Sequence, residues 1–284
     1  MRRFTTSVVT ERPRLGLLLL VELVAAAIVL IAHPFGATHP ADQTPPAATH
    51  ASLDVPTTPT DPLTLTDGRT VSLVALGGAQ TAGLEARIWS ELDGAADAVT
   101  SFWGDDWPRN VSVVLTGTDE EFRALASGDS DIAAATTAQR IVFAPGASTM
   151  SDASLRIVLR HELFHYAARG HTAVDAPRWL TEGVADYVGR PPTPFPASAR
   201  ASEVARLPTD ADLDTPGAVR SLAYDRAWWF SRFVASRYGA QTLRGLYLTA
   251  CGPGHPDQGT AIKSALGADT PAVMAAWRAW LSGQ

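Results

Sequence analysis

The sequence predicts an α+β domain: a small N-terminal sheet followed by a mostly helical C-terminal half. Three observations carry this expectation. Short runs of β-branched residues stand in the first half of the chain, and long segments of helical apolar periodicity fill the second. Of the 284 residues, 46 % are hydrophobic, enough for one sizeable core. Strands first and helices afterwards is the order of an α+β fold.

Residues 1–14 carry Arg2, Arg3, Arg12 and Arg14, and residues 15–32 form an apolar run whose one charge is Glu22. That run reaches the lower length limit of a transmembrane helix and exceeds the apolar core of a typical signal peptide. The next basic residue is Arg69, so the positive-inside rule places the N-terminus in the cytoplasm and the remainder outside. Phe35-Gly36-Ala37 is a poor cleavage site, which favours an uncleaved anchor over release of a secreted product. Residues 33–62, rich in Pro, Thr and Ala, cannot bury a core and are expected to be an extended spacer. The domain proper is then 63–284. Its net charge contribution to a total of -6, with no basic patch among aromatics, excludes nucleic acid as a partner. Cys251 is the only cysteine, so no intrachain disulfide exists; Gly252-Pro253-Gly254 beside it reads as a loop carrying an incidental thiol.

A turn at Asp67-Gly68 leads into a strand over 70–76, and 84–103 has helical spacing. Residues 111–115 read as a second strand, 119–126 as a short helix, and 132–143 as one or two further strands. Within the last of these, Ile141-Val142-Phe143-Ala144 is an apolar run bounded by Arg140 and Pro145. Residues 154–169 place Leu155, Val158, Leu159, Leu163, Phe164 and Ala167 at helical intervals, with Ser151 or Asp152 as N-cap and Gly170 as the stop. Trp179, Leu180, Val184 and Val188 predict a half-buried helix, and 191–216 reads as a Pro-rich loop. Ala223-Tyr224 is expected to open a helix that runs through Trp228, Trp229, Phe230, Phe233 and Val234 to Tyr238-Gly239.

Chemistry concentrates in His161-Glu162-Leu163-Phe164-His165. On a helix, residues four apart lie one above the other, so both imidazoles face one point and together can bind zinc. Glu162, one residue along, can reach a water beside that metal. A catalytic zinc needs a third protein ligand, and two residues compete for the place. His171 stands ten residues after His161, the outer frame of the metzincin pattern H-E-x-x-H-x-x-G-x-x-H. The glycine of that pattern is replaced by Ala168, and only Met274 lies downstream for a Met-turn. The other candidate is Glu182.

Trp179-Leu180-Thr181-Glu182-Gly183-Val184-Ala185, following the HExxH pentapeptide, resembles the W-L-x-E-G-x-A segment of gluzincin-type zinc metallopeptidases of the peptidase MA-like families. The resemblance implies a zincin-like metallopeptidase domain with Zn2+ held by His161, His165 and Glu182. It also implies that Asp186, four residues on, accepts a hydrogen bond from a ligating histidine. Tyr224 would face the metal from the start of a later helix and donate to the oxyanion, and the strand at 141–144 would border a groove where a peptide adds as an extra strand. The implied activity is hydrolysis of peptide bonds in a peptide or protein substrate, with Glu162 taking a proton from water and passing it to the leaving amine. A catalytically inactive module binding a protein or cell-wall partner is the other reading. The presence of every ligand together with the base speaks against it.

Overall fold

In the computed structural model the described residues are 61–126 and 132–283. The expected membrane segment and nearly all of the spacer lie outside them, and among the described residues no helix is long and apolar enough to cross a membrane.

Among the described residues, five strands form one sheet: β1 (Leu63–Thr64), β2 (Thr70–Ala75), β3 (Asn110–Leu115), β4 (Ala134–Thr136) and β5 (Ile141–Phe143), in the order β1-β2-β3-β5-β4. The pairs β2–β3 and β3–β5 are parallel, while β1 and β4 run antiparallel at the edges. Parallel neighbours need a crossover; α1 (Ala82–Trp103) supplies it between β2 and β3, and α2 (Asp119–Ala126) follows β3. Side chains alternate across the sheet. Val113, Leu115, Ile141 and Phe143 enter the main core, whereas Val114, Val142 and Ala135 pack with Phe122 and Ala126 in a small second core under α2.

Register corrects one expectation. The run 141–144 does not border an open groove, because β5 is paired on both sides and buried at all three residues. The edge belongs to β4. Thr136 pairs with Ile141, so it shares the face of the sheet that looks onto the main helical layer.

The second half is helical: α3 (Asp152–Ala168), α4 (Arg178–Gly189), α5 (Ser198–Val204), α6 (Asp210–Asp214), α7 (Ala218–Tyr238), α8 (Ala240–Cys251), α9 (Gln258–Leu266) and α10 (Thr270–Leu281). Ser151 caps α3, accepting from the Ser154 amide at 3.1 Å. Gly170 does not stop the chain; a tighter 3-10 turn carries it through Arg169–His171. The Pro-rich stretch 191–216 holds two short helices rather than a loop, and a capping box between Thr209 and Asp212 starts α6. α7 begins at Ala218, behind Gly217 with φ of 78°, and Tyr224 therefore lies inside the helix, not at its start. Cys251 ends α8 and is buried, with its thiol pKa pushed up by desolvation, so it is neither loop-borne nor nucleophilic.

α4 is more enclosed than the apolar stripe suggested: every residue from Trp179 to Asp186 is buried. Two glycines permit this. A Cβ at Gly183 would stand 2.5 Å from the Ala227 carbonyl oxygen of α7, and one at Gly189 would stand 2.9 Å from the Ile157 carbonyl oxygen of α3. The glycine after Glu182 is thus a contact surface that lets α4 sink between its neighbours. Gly183→Ala should force α4 and α7 apart at a cost of about 1–3 kcal/mol. Thermal unfolding should show Tm lowered by about 2–10 °C; an unchanged Tm would show that the contact is not needed.

Candidate metal centre

One turn of α3 brings His161 and His165 onto the face opposite Glu182 of α4. Their Nε2 atoms are 3.0 Å apart. Glu182 Oε2 lies 3.3 Å from Nε2 of His161 and 3.6 Å from Nε2 of His165. All three side chains are buried, and they are the one group among the described residues whose ligand atoms converge in this way. Tetrahedral zinc with N and O ligands at about 2.1 Å separates those ligands by about 3.4 Å. The three spacings bracket that value. Glu182 Oε2 makes no hydrogen bond, so a buried acceptor is aimed at the point where the two imidazoles meet. This donor set, two imidazoles and a carboxylate, suits zinc.

His161 is oriented from behind. Its Nδ1 stands 2.9 Å from Asp186 Oδ1. A carboxylate can only accept, so Nδ1 is the donor and Nε2 is left facing the centre. Burial disfavours a charged ring, but Asp186 and Glu182 outweigh it and raise His161 to about 10. Burial likewise pushes Glu182 up, yet His165 and His161 hold it well below the ordinary carboxylate range. A metal ion at this point must displace the proton on His161, so binding releases a proton and tightens as pH rises. His165 Nδ1 has no hydrogen-bond partner, so that ring has no carboxylate behind it and its polar contacts all lie on the Nε2 side.

Glu162 sits in the same pocket with the opposite tendency. Desolvation raises its pKa against the pull of His161, His165 and a hydrogen bond from Thr136. Thr136 Oγ1 is 2.7 Å from Glu162 Oε2 and 2.9 Å from the carbonyl oxygen of the same residue. Oε1 is buried and has no hydrogen-bond partner. Tyr224, in the second turn of α7, is buried with its ring centroid 6.3 Å from that of His161. Burial and the nearby Glu182 and Asp186 raise its pKa well above the phenol range, and its hydroxyl shares a hydrogen bond with Glu182. It is therefore a proton donor at any physiological pH.

All of the sequence-derived site residues, His161, Glu162, His165, Glu182, Asp186 and Tyr224, meet at this one place. His171 does not. It is exposed, beside the Trp103 ring at 5.7 Å. Two contributors carried no motif. Thr136 lies in the strand Ala134–Thr136, and only its pairing register reveals that it faces α3. Arg190 pairs with Asp186 at 2.6 Å, and its i,i+4 spacing was the available signal.

No family model matches the sequence, and no curated protein matches it. Among solved structures, the chain is similar to a mutant M1 zinc metallopeptidase from Deinococcus radiodurans, at 18 % identity and a TM-score of 0.46, over 79 % of this chain and 51 % of that one. A two-domain M1 zinc metallopeptidase mutant bound to L-arginine gives 15 % identity and a TM-score of 0.48 over the same shares. The M1 zinc metallopeptidase from D. radiodurans without the mutation gives 17 % and 0.46, over 78 % of this chain and 51 % of that one. The chain spans about half the length of these structures. Likeness at this level says nothing of substrate or activity, which rest on this chain's own side chains.

Calorimetric zinc titration checks the ligand set. The unsubstituted chain should bind one zinc and release about one proton at pH 7, visible as a heat that depends on the buffer. Glu182→Ala should abolish stoichiometric binding and His171→Ala should leave it intact; the reverse pattern would assign the third ligand to His171.

Proposed function

We propose that this chain is a zinc-dependent peptidase of gluzincin type, held in a membrane by residues 15–32 with its catalytic domain on the extracytoplasmic side. The observation that carries the proposal is the convergence of His161 Nε2, His165 Nε2 and Glu182 Oε2 beside the unpaired Oε1 of Glu162. Zinc held by those three atoms would supply Lewis acidity toward a carbonyl oxygen and lower the pKa of a water. The rest of the chemistry belongs to the protein.

Glu162 takes a proton from the attacking water on Oε1 as the C–O bond forms. It returns that proton to the amine nitrogen as the C–N bond breaks. Its dry surroundings raise its proton affinity, which lets the carboxyl hold the proton between the two steps, and Thr136 keeps Oε2 fixed meanwhile. Tyr224 supplies an O–H to the developing oxyanion, an interaction stronger in the transition state than in the ground state. The outer edge of β4 has no strand partner among the described residues, and its backbone groups suit an extended peptide substrate. An inactive binding module has no use for a desolvated base next to a complete ligand set, which is why hydrolysis is preferred to that reading.

Quenched-fluorescence peptide hydrolysis separates the roles. Glu162→Gln should retain zinc and lose about 10²–10⁴-fold in kcat. Tyr224→Phe should retain zinc and stability while kcat falls by about 10–10³-fold with KM little changed. Full turnover by the Gln variant would remove Glu162 from the mechanism, and a Phe variant that loses stability but keeps turnover would make Tyr224 a packing residue.

Membrane anchoring is supported by the apolar run 15–32 and the arginines before it. A reporter that works only outside the cytoplasm, fused after Gln284, should be active and remain in the membrane fraction. A shortened soluble product would instead point to cleavage and secretion.

A further inference from the structure

We infer that Arg190 is a positioning residue of the metal centre: it fixes the carboxylate of Asp186 and, through it, the ring of His161. The inference rests on the zinc-site reading above. Asp186 is buried with both oxygens committed, Oδ1 to His161 Nδ1 at 2.9 Å and Oδ2 to Arg190 Nη2 at 2.6 Å. The second contact lacks the angle of a hydrogen bond, so it is chiefly charge pairing. Arg190 uses its other nitrogen on α7, where Nη1 meets Asp225 Oδ1 at 2.9 Å. Asp225 Oδ2 is in turn 2.5 Å from Arg200 Nη2, and Arg200 Nη1 reaches Glu203 at 2.8 Å. A chain of alternating charge thus runs from His161 to the surface of α5.

Burial decides which link matters. Side-chain exposure climbs outward from 1 % at Asp186 through 15 % at Arg190 and 23 % at Asp225 to 43 % at Arg200. The exposed outer pairs are screened by water and contribute little. The inner pair is screened least, and a buried carboxylate stripped of its counter-charge carries a desolvation cost of several kcal/mol. Without Arg190, Asp186 has a reason to turn away from His161 or to admit water, and either change alters the direction in which Nε2 points. Asp225 holds the guanidinium from the far side, and the Trp228 ring lies 5.1 Å from its centre. A planar fork can span two carboxylates on two helices; a lysine ammonium, a point charge, cannot hold both in that geometry.

The test uses the full chain and reads the metal directly. Zinc affinity is measured by competition with a chromophoric chelator, and the visible spectrum of the cobalt(II)-loaded protein reports ligand geometry. Circular dichroism and Tm monitor the fold. Arg190→Met should weaken zinc binding by about 10–100-fold and shift the cobalt bands, Arg190→Lys should recover only part of the loss, and Arg200→Met should stay within about twofold of the unsubstituted chain. An Arg190→Met protein with zinc affinity and cobalt spectrum unchanged, whatever its Tm, would overturn the inference and leave Arg190 a tie between α4 and α7. Should that variant fail to fold, Arg190→Lys decides: affinity equal to the unsubstituted chain overturns the inference, and a reduced affinity supports it. Failure of the unsubstituted chain to bind zinc would refute the parent reading instead, and would be visible before any substitution is compared.

Discussion

Two carboxylates, Glu182 and Asp186, are buried on one helix four residues apart, and the pairing of those charges in a dry interior governs the surrounding structure. A carboxylate isolated there would carry a penalty of several kcal/mol or take up a proton. Neither is isolated. Glu182 faces two imidazoles, and Asp186 divides its oxygens between His161 and Arg190. Gly183 and Gly189 let the helices close around them, since a Cβ at either would meet a backbone carbonyl oxygen of α7 or α3. Close packing therefore serves electrostatics here: the nearer α3, α4 and α7 approach, the stronger each of these pairings becomes.

The same pocket drives two glutamates in opposite directions. Glu182 is held anionic by His165 and His161, the state a ligand needs, while Glu162 is raised by burial, the state a proton carrier needs. Acid-base roles are usually divided by environments that separate pKa values in this way. The sheet contributes a positioning atom, since the register of β4 against β5 turns Thr136 toward Glu162. Tyr224 closes the remaining side as a donor whose phenol does not ionise.

Legibility in the sequence followed the range of the interactions. His161, Glu162 and His165 are readable because helical spacing fixes their mutual direction before any tertiary contact exists, whereas Glu182 and Asp186, on a separate helix, are legible through the resemblance of their segment to the gluzincin motif. The strands at Thr70–Ala75 and Asn110–Leu115 and the helix at Ala82–Trp103 were readable from periodicity. Thr136 was not, because its role depends on which strand occupies the sheet edge, a long-range outcome. α5 and α6 are hidden by proline and by their length, both packing on α7 and α6 alone being held by a side-chain cap. The first turn of α7 carries too few apolar residues to reveal its start, so the sequence pattern puts Tyr224 at a helix terminus whereas the helix begins at Ala218.

X-ray absorption at the zinc edge of the purified full chain tests the central claim most directly. Three protein ligands of the assigned types predict a shell of N and O atoms at about 2.0–2.2 Å, with outer scattering from two imidazole rings. A shell of oxygens alone without imidazole scattering, or one containing sulfur at about 2.3 Å, would contradict the assignment of His161, His165 and Glu182.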